Sequence, residues 1–138
     1  MIEYTIEPVL MGGTIKELTE NEVKVHLKGR LGVFTLPKSF LKGSERAKTG
    51  DKLRFYFSYI QVVNKSGQYD ISGINVYPEI APELCGGKIS LVNDTAIEVS
   101  LEKGLGTIFV PRRWVFTDIE PKEGQDVEFY ISGMKLTE

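Results

Sequence analysis

Catalytic chemistry has little to draw on in this chain. One histidine, His26, and one cysteine, Cys85, are all it has of either residue in 138 positions. They stand far apart in the sequence, so a Cys–His nucleophile pair or a zinc ligand set is not expected. A single thiol excludes an intrachain disulfide and suits a reducing compartment. No apolar run approaches the ~20 residues of a membrane span. The stretch Met1 to Ile6 alternates and carries an acid, Glu3, unlike a secretion leader, which makes a cytoplasmic address the expectation. Net charge is −2, too small to mark the whole molecule as a polyanion binder. Gly12-Gly13 and Gly86-Gly87 lack the Gly-Lys-Ser/Thr ending of a phosphate loop. Asn64-Lys65-Ser66 and Asn93-Asp94-Thr95 spell glycosylation triplets, but turn chemistry accounts for both. The acid pairs Glu20/Glu22 and Glu120/Glu123 also fall in predicted turns. No catalytic residue, metal site or cofactor is expected, and the chain reads as a non-enzyme.

What the sequence does contain is a repeat. Leu31-Gly32-Val33-Phe34-Thr35-Leu36-Pro37 returns as Leu105-Gly106-Thr107-Ile108-Phe109-Val110-Pro111. The same ungapped offset matches Ile6, Pro8, Leu10, Gly12, Gly13 and Ile15 to Ile80, Pro82, Leu84, Gly86, Gly87 and Ile89. It also carries Lys48, Gly50, Phe55, Tyr56 and Ser58 onto Lys122, Gly124, Phe129, Tyr130 and Ser132. A fixed period of this kind is the signature of a duplicated unit. Units this small bury too little surface to be robust alone, so the copies are expected to pack on each other. Their boundaries are placed at 1–75 and 76–138.

Each copy reads as strands. Val23, Val25 and Leu27 alternate with Lys24, His26 and Lys28, the period-two pattern of a half-buried strand. Gly12-Gly13 reads as a breaker before a strand Thr14–Leu18. Val33 to Leu36 ends at Pro37, and a long strand is expected from Lys52 to Val63. Asn64-Lys65-Ser66-Gly67 has hairpin-turn chemistry, which predicts a returning strand Gln68–Tyr77. The second copy follows the same order and ends without a partner for Asp126–Leu136. The N-terminal strand Ile2–Ile6 is expected to close it, hiding an open edge. The fold class is all-β: a tandem pair of small five-stranded barrel-like units about a pseudo-two-fold, open to strand exchange between the halves.

The segment Gly32-Val33-Phe34-Thr35-Leu36-Pro37-Lys38, followed by Gly50-Asp51-Lys52-Leu53, resembles the DNA-binding swapped-hairpin barrel of transition-state regulators and antitoxins (AbrB-like). Gly106 to Arg112 with Gly124 repeats it. That family has a basic residue straight after the glycine, where Val33 and Thr107 stand here. With all five strands counted, each copy is equally similar to an oligonucleotide-binding barrel of the ribosomal RNA-binding type or to a Src-homology-type barrel. The resemblance implies a small β-barrel; fold analogy alone supplies no function.

Charge separates the copies. Residues 6–64 hold 10 Lys/Arg against 6 Asp/Glu, a net +4; residues 80–138 hold 6 against 10, a net −4. Lys24, Lys28, Lys52 and Arg54 stand where the second copy has Glu98, Glu102, Asp126 and Glu128. Surfaces of opposite sign can meet each other. Tyr56 and Tyr130 occupy matching outward positions, where aromatics serve protein contacts or base stacking. Arg112 and Arg113 flank Trp114, which replaces Phe40 and reads as a core plug. Cys85, matching Met11, is expected in an apolar slot. The leading expectation is therefore a non-catalytic protein–protein or self-assembly module, with a homo-oligomer as one form. Its binding residues would be Lys24, Lys28, Arg54, Tyr56, Glu98, Glu102, Glu128, Tyr130, Arg112 and Arg113. The alternative is a nucleic-acid-binding or regulatory protein that uses the basic first copy. Small-ligand binding ranks behind both.

Overall fold

A computed structural model describes residues 6–64, 67–75 and 79–137. The first unit contains β1 (Val9–Leu18), β2 (Glu22–Leu27), β3 (Val33–Pro37), the short β4 (Leu41–Lys42), β5 (Lys52–Phe57) and β6 (Ile60–Val63). The second repeats the order as β7 (Glu83–Val92), β8 (Ala96–Leu101), β9 (Thr107–Pro111), β10 (Val115–Phe116), β11 (Asp126–Ile131) and β12 (Met134–Leu136). Helical structure among the described residues is limited to short 3-10 turns, and no helix is long and apolar enough to cross a membrane. The all-β pair of barrel-like units is thus observed.

The alternation seen in the sequence sets the inside and the outside. Val23, Val25 and Leu27 are buried while Lys24, His26 and Lys28 point away from the core. On β5, Leu53, Phe55 and Phe57 face inward between Lys52, Arg54 and Tyr56. The two units share one core. Phe57 packs edge-on to Phe34 at 4.9 Å, and also lies against Phe129 and Trp114, both at 6.1 Å. Such aromatic pairs add to the burial energy of their rings. Trp114 is buried as expected and donates its indole N–H to Ser58 O at 2.9 Å. Cys85 is buried, and burial pushes its thiol up to about 12.

The conspicuous Leu-Gly pairs lie where the units touch. β3 and β9 pair antiparallel, with Thr35 opposite Thr107. Gly32 and Gly106 have φ of +122° and +112°. A side chain on Gly32 would collide with the Phe109 carbonyl, and one on Gly106 with the Thr35 carbonyl. Each glycine therefore meets two demands, a left-handed backbone and a close approach by the other copy's strand.

Three expectations about strand paths are corrected. The Gly12-Gly13 pair does not break the chain; β1 runs straight through it. Gly13 is needed for space, since a Cβ there would lie 2.7 Å from a Val25 methyl and 3.2 Å from the Phe55 ring. The long strand Lys52–Val63 is interrupted at Ser58-Tyr59, where the chain leaves one unit for the other. β6 then pairs with β11 of the second unit and, in parallel, with β10. Reciprocally, β12 pairs with β5 and, in parallel, with β4 of the first. Two serines secure the crossing. Tyr56 N–H donates to Ser132 Oγ at 2.7 Å and Tyr130 N–H to Ser58 Oγ at 2.8 Å. Each hydroxyl in turn donates to the carbonyl of the following residue, Tyr59 or Gly133.

The third correction concerns the hairpin. Residues 67–75 are not a returning strand but an irregular segment with a 3-10 turn at Ser72–Asn75. β6 spends its ladder on β11 and β10, so it leaves no edge for a hairpin partner. Most of the proposed closing strand Ile2–Ile6 lies outside the described residues. Among the described residues both edges of Asp126–Glu128 are taken, by β7 and by the exchanged strand β6.

Candidate functional site

The outward face of β2, β1 and β5 forms a shallow cleft of about 550 Å³. Two cross-strand rows make its floor. In one, His26, Thr14 and Lys52 lie side by side, with Thr137 N–H bonded to Lys52 O at the far end. In the other, Lys28 N–H bonds Gly12 O, and Gly12 is opposite Arg54, which is opposite Lys135. Gly12, with no side chain, makes the hollow. A Cβ built there would meet only Leu53 O at 3.6 Å and the Lys28 stem at 4.0 Å.

The cleft is cationic. Lys16, Lys28 and Lys52 line it with His26, and no acid does among the described residues. Lys52 Nζ donates to Thr14 Oγ1 at 2.9 Å, which holds one ammonium over the floor. None of these three lysines, nor Arg54, forms an ion pair with an acidic side chain among the described residues. The His26 imidazole is held below its ordinary range, first by partial desolvation, then by the positive charges of Lys16 and Lys24, against the opposing pull of Glu17.

The pseudo-equivalent face of the second unit is built differently. Its cleft is only about 200 Å³ and is lined by Lys88, Glu102 and Asp126 among others. Lys88 Nζ is neutralised by Asp126 at 2.7 Å. Much of the hollow is filled from within. Tyr69, in the segment linking the units, lays its ring on Gly86, the counterpart of Gly12. Its hydroxyl donates to Glu128 Oε2 at 2.9 Å and accepts from Gly67 N–H at 3.0 Å. Gln61 donates to the other Glu128 oxygen at 3.0 Å. Burial, with the neighbouring Glu128 carboxylate, pushes the Tyr69 phenol up to about 12.

The residues singled out from sequence are scattered across the surface. Lys28 lines the first cleft, and Arg54 stands in its Gly12 row. Lys24 lies past a bulge in β1 and pairs with Glu17 at 4.0 Å. Tyr56 and Tyr130 are half-buried opposite Leu10 and Leu84. Glu98 accepts from the Ser90 hydroxyl at 2.9 Å, Glu102 lines the second cleft, and Glu128 lies under Tyr69. Arg112 is bound to Asn93 O and Glu120, and Arg113 is exposed on the 3-10 turn at Arg112–Trp114. The oppositely charged rows of β2 and β8 do not adjoin in the sheet, since β3 and β9 intervene. Sequence reasoning missed Gly12, Thr14, Lys16, His26, Lys52 and Thr137 as site residues. The available signal was a Gly-Gly pair in a stretch whose outward positions are flanked by lysines.

No protein-family model matches the chain, and no curated protein matches it. Among solved structures the chain is similar to the cytoplasmic molybdate-binding protein ModG, in a form with molybdate bound. Identity is 19%, over 93% of this chain and 94% of that one, with a TM-score of 0.30. The expectation of a protein–protein or self-assembly module, with its nucleic-acid alternative, is corrected. The geometry supplies a physical reason. The charged rows of β2 and β8 do not adjoin, and Lys16, Lys28 and Lys52 of the first unit line a concave pocket instead of a flat stripe.

Proposed function

We propose that this chain is a non-catalytic small-anion-binding protein and that the cleft over Gly12 is its site. The observation that carries the reading is the convergence of Lys16, Lys28, Lys52 and His26 on one hollow with no acidic lining residue among the described residues. Ammonium groups converging on a concavity repel one another, and a bound anion relieves that repulsion. The volume lies within the range of small-molecule sites, roughly 300–1,000 Å³. Thr14 and Thr137 add hydroxyls beside the lysines. Of the barrel types resembled, the oligonucleotide-binding type is the one we favour for each unit, because one long bulged strand, β1, pairs with both β2 and β5. A reducing, cytoplasmic setting suits the buried thiol of Cys85.

Titration calorimetry with phosphate, sulfate and molybdate tests the reading. The double variant K28E/K52D gives the first cleft the residues of the second, on exposed positions where folding is not at stake. It is expected to abolish binding. Wild-type binding that survives the double change would place the anion elsewhere, and no binding of any of the three anions would remove the proposal.

A further inference from the structure

The second unit shows, in its own structure, what its copy of the hollow accommodates: an aromatic ring on the glycine, with a polar substituent reaching the row beyond. Tyr69 lies against Gly86 so closely that a Cβ there would overlap the ring. The next residue in that row, Glu128, receives the phenol hydroxyl. In the first unit the glycine is Gly12, its neighbour in the row is Arg54, and the space over the glycine is open. The backbone floor is the same, because β1–β5 and β7–β11 pair in equivalent register, Gly12 with Arg54 and Gly86 with Glu128. At the substituent end the charge is reversed, Arg54 standing for Glu128, as it is where Lys28 and Lys52 stand for Glu102 and Asp126.

From this we infer that the first cleft takes a planar aromatic ring bearing an anionic group, such as an aryl phosphate or aryl carboxylate, with the ring on Gly12 and the anion directed to Arg54 and the cleft lysines. The inference rests on the small-anion reading and specifies its ligand class. A hydroxyl donor suits Glu128; at Arg54, which can only donate, the partner must be an acceptor, and a charged one forms the stronger bond. The cleft volume of about 550 Å³ leaves room for a ring as well as an oxyanion. The Lys28 stem, 4.0 Å from the Cβ position over Gly12, supplies an apolar edge whose ammonium remains in solvent.

The experiment compares phenyl phosphate, methyl phosphate and inorganic phosphate by calorimetry on the full chain and on Gly12→Val. Valine suits an outward strand position, and the open space around Gly12 admits its Cβ. In the wild type, phenyl phosphate should bind about tenfold more tightly than methyl phosphate, the scale expected from burying one face of a ring. Gly12→Val should erase that advantage, bringing phenyl and methyl phosphate within about twofold of each other. Equal affinity for phenyl and methyl phosphate, or a phenyl advantage that persists in Gly12→Val, overturns the inference and leaves the anion site standing. Failure of all three phosphates to bind overturns the inference, and the anion site falls with it when sulfate and molybdate also fail to bind.

Discussion

The same substitution at equivalent positions of the two repeats should have opposite effects. Alanine at Gly12 enters open space on a strand, where replacing glycine removes a backbone-entropy cost of about 0.5–1 kcal/mol. Alanine at Gly86 must displace the Tyr69 ring, whose Cδ2 lies 2.7 Å from the new Cβ position. Displacement forfeits the Tyr69–Glu128 hydrogen bond, worth about 1 kcal/mol. It also exposes the covered part of a half-buried ring, about 1 kcal/mol more. Set against the same entropic gain, Gly86→Ala should destabilise by about 1–1.5 kcal/mol, so the two variants should differ by about 2 kcal/mol. Urea unfolding followed through the single tryptophan, Trp114, measures both. In Gly86→Ala the freed Tyr69 phenol should also fall from about 12 toward the ordinary tyrosine range in an alkaline absorbance titration. The decisive control is the double variant Tyr69→Ala/Gly86→Ala. With no ring to displace, the Gly86 change should become neutral or stabilising. An undiminished cost in that background would refute the seating of Tyr69 on Gly86, and equal effects of the two single variants would refute the asymmetry of the repeats.

Two other outcomes follow from the geometry. Ser132→Ala removes the acceptor of the Tyr56 N–H at the strand crossing; it should cost about 1–3 kcal/mol by urea unfolding, and a change below about 0.5 kcal/mol would show that the crossing does not depend on the hydroxyl. Affinity for sulfate, a dianion throughout this range, should rise as pH falls through the lowered His26 pKa, because protonation adds a positive charge to the cleft; His26→Asn should flatten that dependence between about pH 5 and 8, and an unaltered profile would exclude His26 from the site.

The repeat itself determined much of the fold. Alternation at Val23, Val25 and Leu27 and at Leu53, Phe55 and Phe57 fixed which faces are buried, since strand geometry sends successive side chains to opposite sides. The basic character of the first copy's outward rows was equally plain. Tertiary structure decided where strands go after a bend and which outward residues converge. Nothing local in Ser58-Tyr59 states that the chain crosses to the other unit; β6 finds its ladder on β11, more than sixty residues away. A Gly-Gly pair reads locally as a turn, yet here one glycine admits Val25 and Phe55 and the other hollows the cleft. The difference between the clefts was hidden for the same reason. Gly12 and Gly86 are the same residue at the same repeat position, and only the fold of the linking segment, which brings Tyr69 onto Gly86, leaves one hollow open and fills the other.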